Sequence, residues 1–344
     1  MIDRIKVTVS SELPSWEAFL ARRPNSTVYN SPRWGLVLQQ AYGNKAYYLT
    51  ARRGAEIVGV LTLVARRSLL FGSCLCSLPY FDAVGIIAED QESTERLTLE
   101  AKALMEQVGA DWIELRQFER IEESLDTRTD KVTLHLHLPP TSDELWKGLK
   151  AKVRNQVRKA QRAELACVQG GDELMGAFYA VYVRNMRDLG SPPHSRRFFH
   201  LISKHFSESL RIFVVMADRQ PVAASLTLTD GTAVHVPWAG SDWRARRLNP
   251  NMLLYWTMLG YSCEREARLF DFGRSTLGGG TYQFKKQWGA EDVALYWHYL
   301  PAAGQTVPEL RPDSPKYRLM VACWKKLPVS VAGLLGPRII GKLS

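Results

Sequence analysis

Two spacings of apolar residues alternate along this chain. Residues 47–51 and 57–65 are short runs rich in Val, Leu, Thr and Tyr, and they flank Arg53-Gly54-Ala55-Glu56, which reads as a hairpin turn. A less regular strand follows over 69–78, then a turn at Pro79-Tyr80-Phe81-Asp82 and a short strand over 83–88. From Gln91 to Val108 the period becomes helical, with apolar residues at Leu97, Leu99, Ala101, Leu104, Met105 and Val108. Gly109 stands where a helix needs a left-handed C-terminal residue, and 112–115 reads as the next strand. Upstream, 15–21 is amphipathic, and Ser31-Pro32 reads as an N-cap followed by a first-turn proline, predicting a helix over 33–42.

The same order recurs downstream. Strands are predicted over 211–217, 222–229 and 233–238, a helix from Pro250 to about 266, and a closing strand over 269–273. Ile57-Val58-Gly59-Val60-Leu61 aligns with Pro221-Val222-Ala223-Ala224-Ser225 at an offset of 164, and Ile113-Glu114-Leu115 with Phe270-Asp271-Phe272 at an offset of 157. Two copies of so long a unit do not make a solenoid. They predict an α/β (α+β) chain of two related domains, with mostly antiparallel sheets each interrupted by one helix. The expected division is 1–140, 141–300 and a basic amphipathic tail over 301–344, with the tail packed back on the first domain.

Composition narrows the class. At 344 residues, 46 % apolar and 23 % charged, the chain is globular rather than disordered or collagenous, and it has the length of two domains. No apolar run is long enough to span a bilayer, and the first residues lack the pattern of a signal peptide. Five cysteines without a Cys-x-x-Cys predict a reduced, cytoplasmic protein. The net charge of +10 favours polyanionic partners, against the plainer reading of a soluble basic surface. Cations concentrate in two places. Lys147, Lys150, Lys152, Arg154, Arg158, Lys159 and Arg162 crowd one helical stretch, and Arg154, Arg158 and Arg162 share a face. The tail mixes Lys316, Arg318, Lys325, Lys326, Arg338 and Lys342 with Leu, Val, Ile and Trp324, so peripheral contact with the inner face of an anionic membrane is a second expectation for it.

Candidate chemistry gathers after the last repeated strand. Asp271, Gly273 and Arg274 end that strand, Gly278–Gly280 form a flexible loop, and Tyr282-Gln283-Phe284-Lys285-Lys286-Gln287-Trp288-Gly289 follows. Read as a strand, the last segment puts Tyr282, Phe284 and Lys286 on one face and Gln283, Lys285 and Gln287 on the other. Such a loop suits an anionic substrate or a developing oxyanion, though a simple hairpin with a glycine tip would look alike. His194 sits at a Ser-Pro-Pro junction, open to a cleft, with Arg196 beside it. Asp242 to Arg247 bring basic residues to a helix N-terminus, a setting that favours anions. His135-x-His137 would share a strand face, without a third ligand for a metal. There is no P-loop, Rossmann fingerprint or nucleophile elbow, and nothing but charge points to nucleic acid, so no DNA partner is expected.

These motifs together resemble the Fem aminoacyltransferases and their Fem-like relatives of the Gcn5-type N-acyltransferase superfamily. The resemblance is nearest to the branch found with exopolysaccharide and exosortase (PEP-CTERM) gene systems. It rests on Ser31-Pro32-Arg33-Trp34, Leu78 to Gly85, Lys152 to Ala160, Gly190 to Phe199, Phe272-Gly273-Arg274-Ser275-Thr276 and Tyr282 to Gly289. It implies two tandem Gcn5-type domains, with the Phe284-Lys285 pair implicated in transfer. It also implies substrate contacts from His194, where the peptidoglycan enzymes carry arginine, and from Trp238, where tyrosine is usual. Leu38 stands where those enzymes carry a lysine for the nucleotide-sugar peptide.

The expected function is transfer of an acyl or aminoacyl group to an amine of a cell-envelope or exopolysaccharide precursor. The donor would be aminoacyl-tRNA or acyl-CoA, with no tightly bound cofactor and no metal. Lys285, Phe284 and Asp271 are the catalytic candidates, and His194, Trp238, Arg274, Tyr282 and Arg196 the substrate-binding ones. The alternative is a non-catalytic module of the same fold that binds an anionic glycan, lipid or membrane surface.

Overall fold

The computed structural model describes residues 4–68, 72–123, 125–307 and 315–343. The chain opens with β1 (Lys6–Ser10), α1 (Glu17–Leu20), α2 (Arg33–Tyr42), β2 (Ala46–Arg53), β3 (Glu56–Ser68), β4 (Gly72–Cys76), β5 (Ile87–Ala88), α3 (Gln91–Val108), β6 (Trp112–Gln117) and β7 (Asp126–Arg128). The strand expected from residue 69 is seen from Gly72, its first three residues lying outside the described ones. Next come β8 (Lys131–His137), α4 (Ser142–Gly148), α5 (Ala151–Arg162), β9 (Ala166–Gly170), α6 (Met175–Leu189), α7 (Arg196–His205), β10 (Leu210–Ala217), β11 (Gln220–Asp230) and β12 (Ala233–Ser241). The last elements are α8 (Pro250–Glu264), β13 (Leu269–Thr276), α9 (Gly280–Lys286), β14 (Glu291–Ala294), β15 (Tyr296–Pro301), α10 (Pro315–Lys325) and α11 (Val329–Leu343).

The described residues form two compact units, 4–131 with 294–307 and 341–343, and 132–293 with 315–340. The first carries a sheet in the order β1-β2-β3-β4-β6-β15-β7, with β5 beside β3. The second carries the order β14-β8-β13-β12-β11-β10-β9. The boundary therefore falls after Lys131, the first residue of β8, some nine residues before the expected division at 140. β15, expected in the second domain, pairs antiparallel with β6 of the first, where its Tyr299 and Leu300 are buried. The tail also differs from expectation. α10 and most of α11 belong to the second unit, where Val321 lies against Gly190 and Gly333 against Val183, and Arg187 Nη1 donates to the Leu327 carbonyl at 2.9 Å.

The internal repeat is visible in the pairing itself. β2–β3 shifts register between Ala51 and Arg52, and β10–β11 between Val215 and Met216, positions related by the offset of 164. Parallel pairing of Cys74–Cys76 with Trp112–Glu114 matches that of Ala233–His235 with Leu269–Asp271, related in β6 and β13 by the offset of 157. In each unit the parallel pair is joined through a helix, as parallel strands require. α3 lays Leu97, Ala101, Leu104 and Met105 on the first sheet, while Leu99 remains exposed. Each such burial contributes roughly 1.5–3 kcal/mol for a large aliphatic side chain. α2 starts as expected, but its cap is Pro32, with Ser31 Oγ accepting from Arg33 N at 3.4 Å.

α9 overturns the strand read over 282–287. Tyr282, Phe284 and Lys285 lie on one helical turn, and Phe284 and Trp288, four apart, both pack beside Tyr255. The segment is short and its apolar residues satisfy either period, so spacing alone did not separate the two readings. The basic helix α5 buries Val153, Val157 and Ala160. Its cations are partly engaged: Arg154 Nη1 donates to the carbonyls of Trp146, Lys147 and Leu149 at the end of α4, and Arg158 lies over the Trp146 ring.

Candidate functional site

In the second unit, β12 and β13 pair only from Ala233↔Leu269 to His235↔Asp271, although β12 runs to Ser241 and β13 to Thr276. The sequence at the parting accounts for it. Pro237 has no N–H to donate to a ladder. Against β11, Val236 and Pro237 together oppose the single Thr227, a bulge that re-aims the strand. On the facing strand, Gly273 has φ +74°, and a Cβ there would lie 2.9 Å from the Val236 carbonyl oxygen. Glycine is what this position allows.

A buried acid sits at the fork. Asp271 Oδ1 accepts from Thr133 Oγ1 at 2.6 Å and from Gly273 N at 2.8 Å, and Oδ2 lies 3.2 Å from His235 Nδ1. His135 Nε2 is 3.7 Å from Oδ1. Burial alone would raise the Asp271 pKa, but the hydrogen bond and charge of His235, helped by His135 and Thr133, outweigh it and hold the carboxyl well below its usual range. An ionised carboxylate only accepts, so His235 Nδ1 is the donor in this contact, and Nε2 is the ring's other nitrogen. Burial, partly offset by Asp271, lowers the pKa of His135.

Lys285 reaches the same strand from α9. Its ammonium is buried and donates to the carbonyls of Gly273 at 2.8 Å and Arg274 at 2.9 Å. These carbonyls lie just past the last β12–β13 pair. Lys285 thus serves backbone acceptors beyond the ladder, which burial would otherwise make costly.

The other expected residues fall into separate groups. His194 is buried rather than open to a cleft. Its ring stacks on Phe198 at 4.4 Å and meets Trp238 edge-on at 6.1 Å, and Trp238 in turn packs on Phe198 and Phe199. Two tyrosines of α6 fix its backbone: Tyr179 Oη donates to the His194 carbonyl and Tyr182 Oη accepts from its N–H, both at 3.1 Å. Burial depresses the His194 pKa to about 3. The expected pair of His194 and Trp238 is thus brought together, as an aromatic cluster. Phe284 packs at 5.0 Å from Tyr255 in the core rather than at the fork. Tyr282 Oη donates to Asp292 at 2.7 Å, and that hydrogen bond raises its pKa. Arg196 and Arg274 are exposed.

Sequence reading missed His235 and Thr133 at this site and took His135 only as a weak metal ligand. The available signal was the parallel repeat: the offset of 157 places Asp271 on Glu114, a second buried carboxylate that likewise stands in the last pair of its parallel ladder. In the first unit Glu114 pairs with Arg116 at 2.6 Å, whose Nη1 donates to the Phe81 carbonyl and whose guanidinium lies over Trp297. Arg116 fills the position that Gly273 leaves clear. A second feature of the second unit is a cleft of about 510 Å³, lined by Arg184, Arg187, Arg244, Lys325, Asp188 and Asp242 among others. Arg244 forks onto Asp242 with contacts of 2.6–3.1 Å and, with a weaker contribution from Arg184, lowers the Asp242 pKa. Among the described residues no cluster of His, Cys, Asp or Glu is arranged to hold a metal ion.

Residues 147–286 match the model of the acetyltransferase (GNAT) domain family. Among solved structures, the chain is similar to FemX, with a TM-score of 0.61 and 15 % identity over 81 % of this chain and 94 % of that one. It is similar also to L-PGS from Bacillus licheniformis, at 0.56 and 12 % over 94 % and 96 %. A tandem GNAT protein from the clavulanic acid biosynthesis pathway matches at 0.55 and 12 %, over 88 % of this chain and all of that one. At these identities the likeness is one of fold. No curated protein matches the chain in sequence. The architecture is accordingly α/β, with two GNAT-like domains in tandem.

Proposed function

We propose that the second unit is an N-acyltransferase of Fem-like type, passing an acyl or aminoacyl group to an amine of a cell-envelope or exopolysaccharide precursor. The observation that carries this reading is the parting of β12 and β13 directly above the Asp271–His235 pair. Strands that part inside a sheet make room for an extended donor between them, and an acid–imidazole pair at the fork supplies a proton acceptor. The GNAT match over the same residues supports the donor class, and the names FemX and L-PGS support an aminoacyl donor beside acyl-CoA.

The step is a direct displacement in a ternary complex. The acceptor amine attacks the donor carbonyl carbon, a C–N bond forms, and the C–S bond of a thioester or the C–O bond of an aminoacyl ester breaks. Holding both partners in line supplies much of the rate. His235, itself buried at the fork, takes the amine proton on Nε2 as the acceptor enters between the parted strands, and Asp271 orients the ring and stabilises the imidazolium that forms. Asp271, held ionised by its partners, is a poor proton acceptor itself, and the His194 ring is packed against Phe198, Phe199 and Trp238 with no carboxylate shown to stabilise an imidazolium. Lys285 keeps the fork in shape through its two carbonyl contacts and brings positive charge to it. Arg274, Arg196 and Trp238 remain candidates for the anionic and apolar parts of the substrates.

The test supplies labelled aminoacyl-tRNAs and labelled acetyl-CoA with an envelope extract as acceptor. His235→Gln is expected to lower kcat by about 10²–10⁴-fold, the usual reach of general-base catalysis, with an unchanged melting temperature. Lys285→Ala is expected to abolish transfer. Equal turnover by a folded His235→Gln variant contradicts the proton-transfer role. Absence of transfer from both donors favours the non-catalytic module.

A further inference from the structure

The stretch 315–343 holds six Lys and Arg residues and no Asp or Glu. The helices it forms are α10 and α11, both docked on the second unit by their inner faces: Val321 and Lys325 approach Gly190, Ala332 is buried, and Gly336 meets Pro193. Helical geometry then fixes what faces outward. On α10 the opposite side carries Leu319, Met320 and Cys323, with exposed Lys326 just past its end. On α11 it carries Ser330, Leu334, Leu335 and Arg338. Leu319 and Leu334 are 65 % and 63 % exposed, among the most open large apolar side chains described. No helix described is long and apolar enough to cross a membrane.

Lys325 links this surface to the neighbouring cleft, whose cations Arg184, Arg187 and Arg244 outnumber the carboxylates of Asp188 and Asp242. The cleft is rimmed by exposed Leu189 and by Trp243, which is 65 % exposed and stacked under Arg246. Exposed leucines interleaved with cations, without any acid, are the composition of a surface that lies in a headgroup layer: the apolar tips enter and the cations meet lipid phosphates. A second copy of the same face would bring like charges together, which disfavours self-association as the reason for the exposure.

We propose that the outer face of α10 and α11 docks this protein on a bilayer containing anionic lipid. The inference rests on charge and exposure alone and is independent of the acyl-transfer reading. The test is co-sedimentation of the full chain with phosphatidylcholine vesicles, with and without phosphatidylglycerol, at low and high salt. Binding is expected only with phosphatidylglycerol, weakening as salt rises. Leu319→Glu with Leu334→Glu is expected to weaken it tenfold or more. Should that variant not fold, the wild-type side chains still give the answer: an environment-sensitive dye on the exposed Cys323 is expected to shift to the blue on phosphatidylglycerol vesicles and to stay unchanged on phosphatidylcholine. No binding to either vesicle, or binding that a folded double variant retains, overturns the proposal. So does a dimer in sedimentation velocity that the same substitutions dissolve, which would assign the face to a second copy.

Discussion

His194 shows how far a side chain's surroundings can depart from what its sequence context implies. Beside Ser-Pro-Pro it reads as an open junction, yet Phe198, Phe199 and Trp238 close over it and burial lowers its pKa from 6.5 to about 3. The consequence for stability has a definite sign. Below about pH 6.5 the unfolded chain protonates this ring and the folded chain does not, so the unfolded state binds more protons and stability falls as pH drops from 6.5 towards 3. The slope approaches about 1.4 kcal/mol per pH unit. Urea unfolding at neutral pH and again a unit below the unfolded pKa should show the wild type losing about that much more than His194→Leu; equal losses would place the ring in solvent. Asp271 is the opposite case: its residue type was singled out from the sequence, but its partners Thr133, His135 and His235 come from β8 and β12. Only the folded sheet brings those strands beside β13.

At the scale of elements, α3 was readable, because an apolar stripe and Gly109 in the left-handed region both act within the helix itself; the structure adds Asp90 as its N-cap. The β2–β3 and β10–β11 hairpins were readable for the same reason. α9 was not, since seven residues fit either period and Lys285's contacts with β13 stabilise the helical form. The fork depends on one glycine. Gly273→Ala sets a Cβ against the Val236 carbonyl at positive φ, and a loss of roughly 1–3 kcal/mol is expected in thermal unfolding. An unchanged melting temperature would mean that the strands are not held as described. Its counterpart Arg116 plugs the first unit, and Arg116→Ala strands the buried Glu114 carboxylate. A cost of about 3–5 kcal/mol is expected from denaturant titration, well beyond that of an exposed ion pair.

For the whole molecule, duplication explains why two sheets share one order of strands, and divergence explains why one unit keeps a candidate site. The carboxylate is retained in both, as Glu114 and Asp271, but its neighbour two residues on is arginine in one and glycine in the other. The repeat was legible in sequence because equivalent strands keep their pattern. The return of β15 to the first sheet and the docking of α10 on the second unit were not, because pairing across such separations leaves no local period. The central claim is that the Asp271–His235 pair serves acyl transfer, and kcat of His235→Gln, Asp271→Asn and the double variant with the better of the two labelled donors tests it most directly. His235→Gln is expected to lose most of the rate, and the double variant to lose little more, because residues that act as a unit are not additive. Wild-type rate in a folded His235→Gln variant, or losses that simply add, would contradict it.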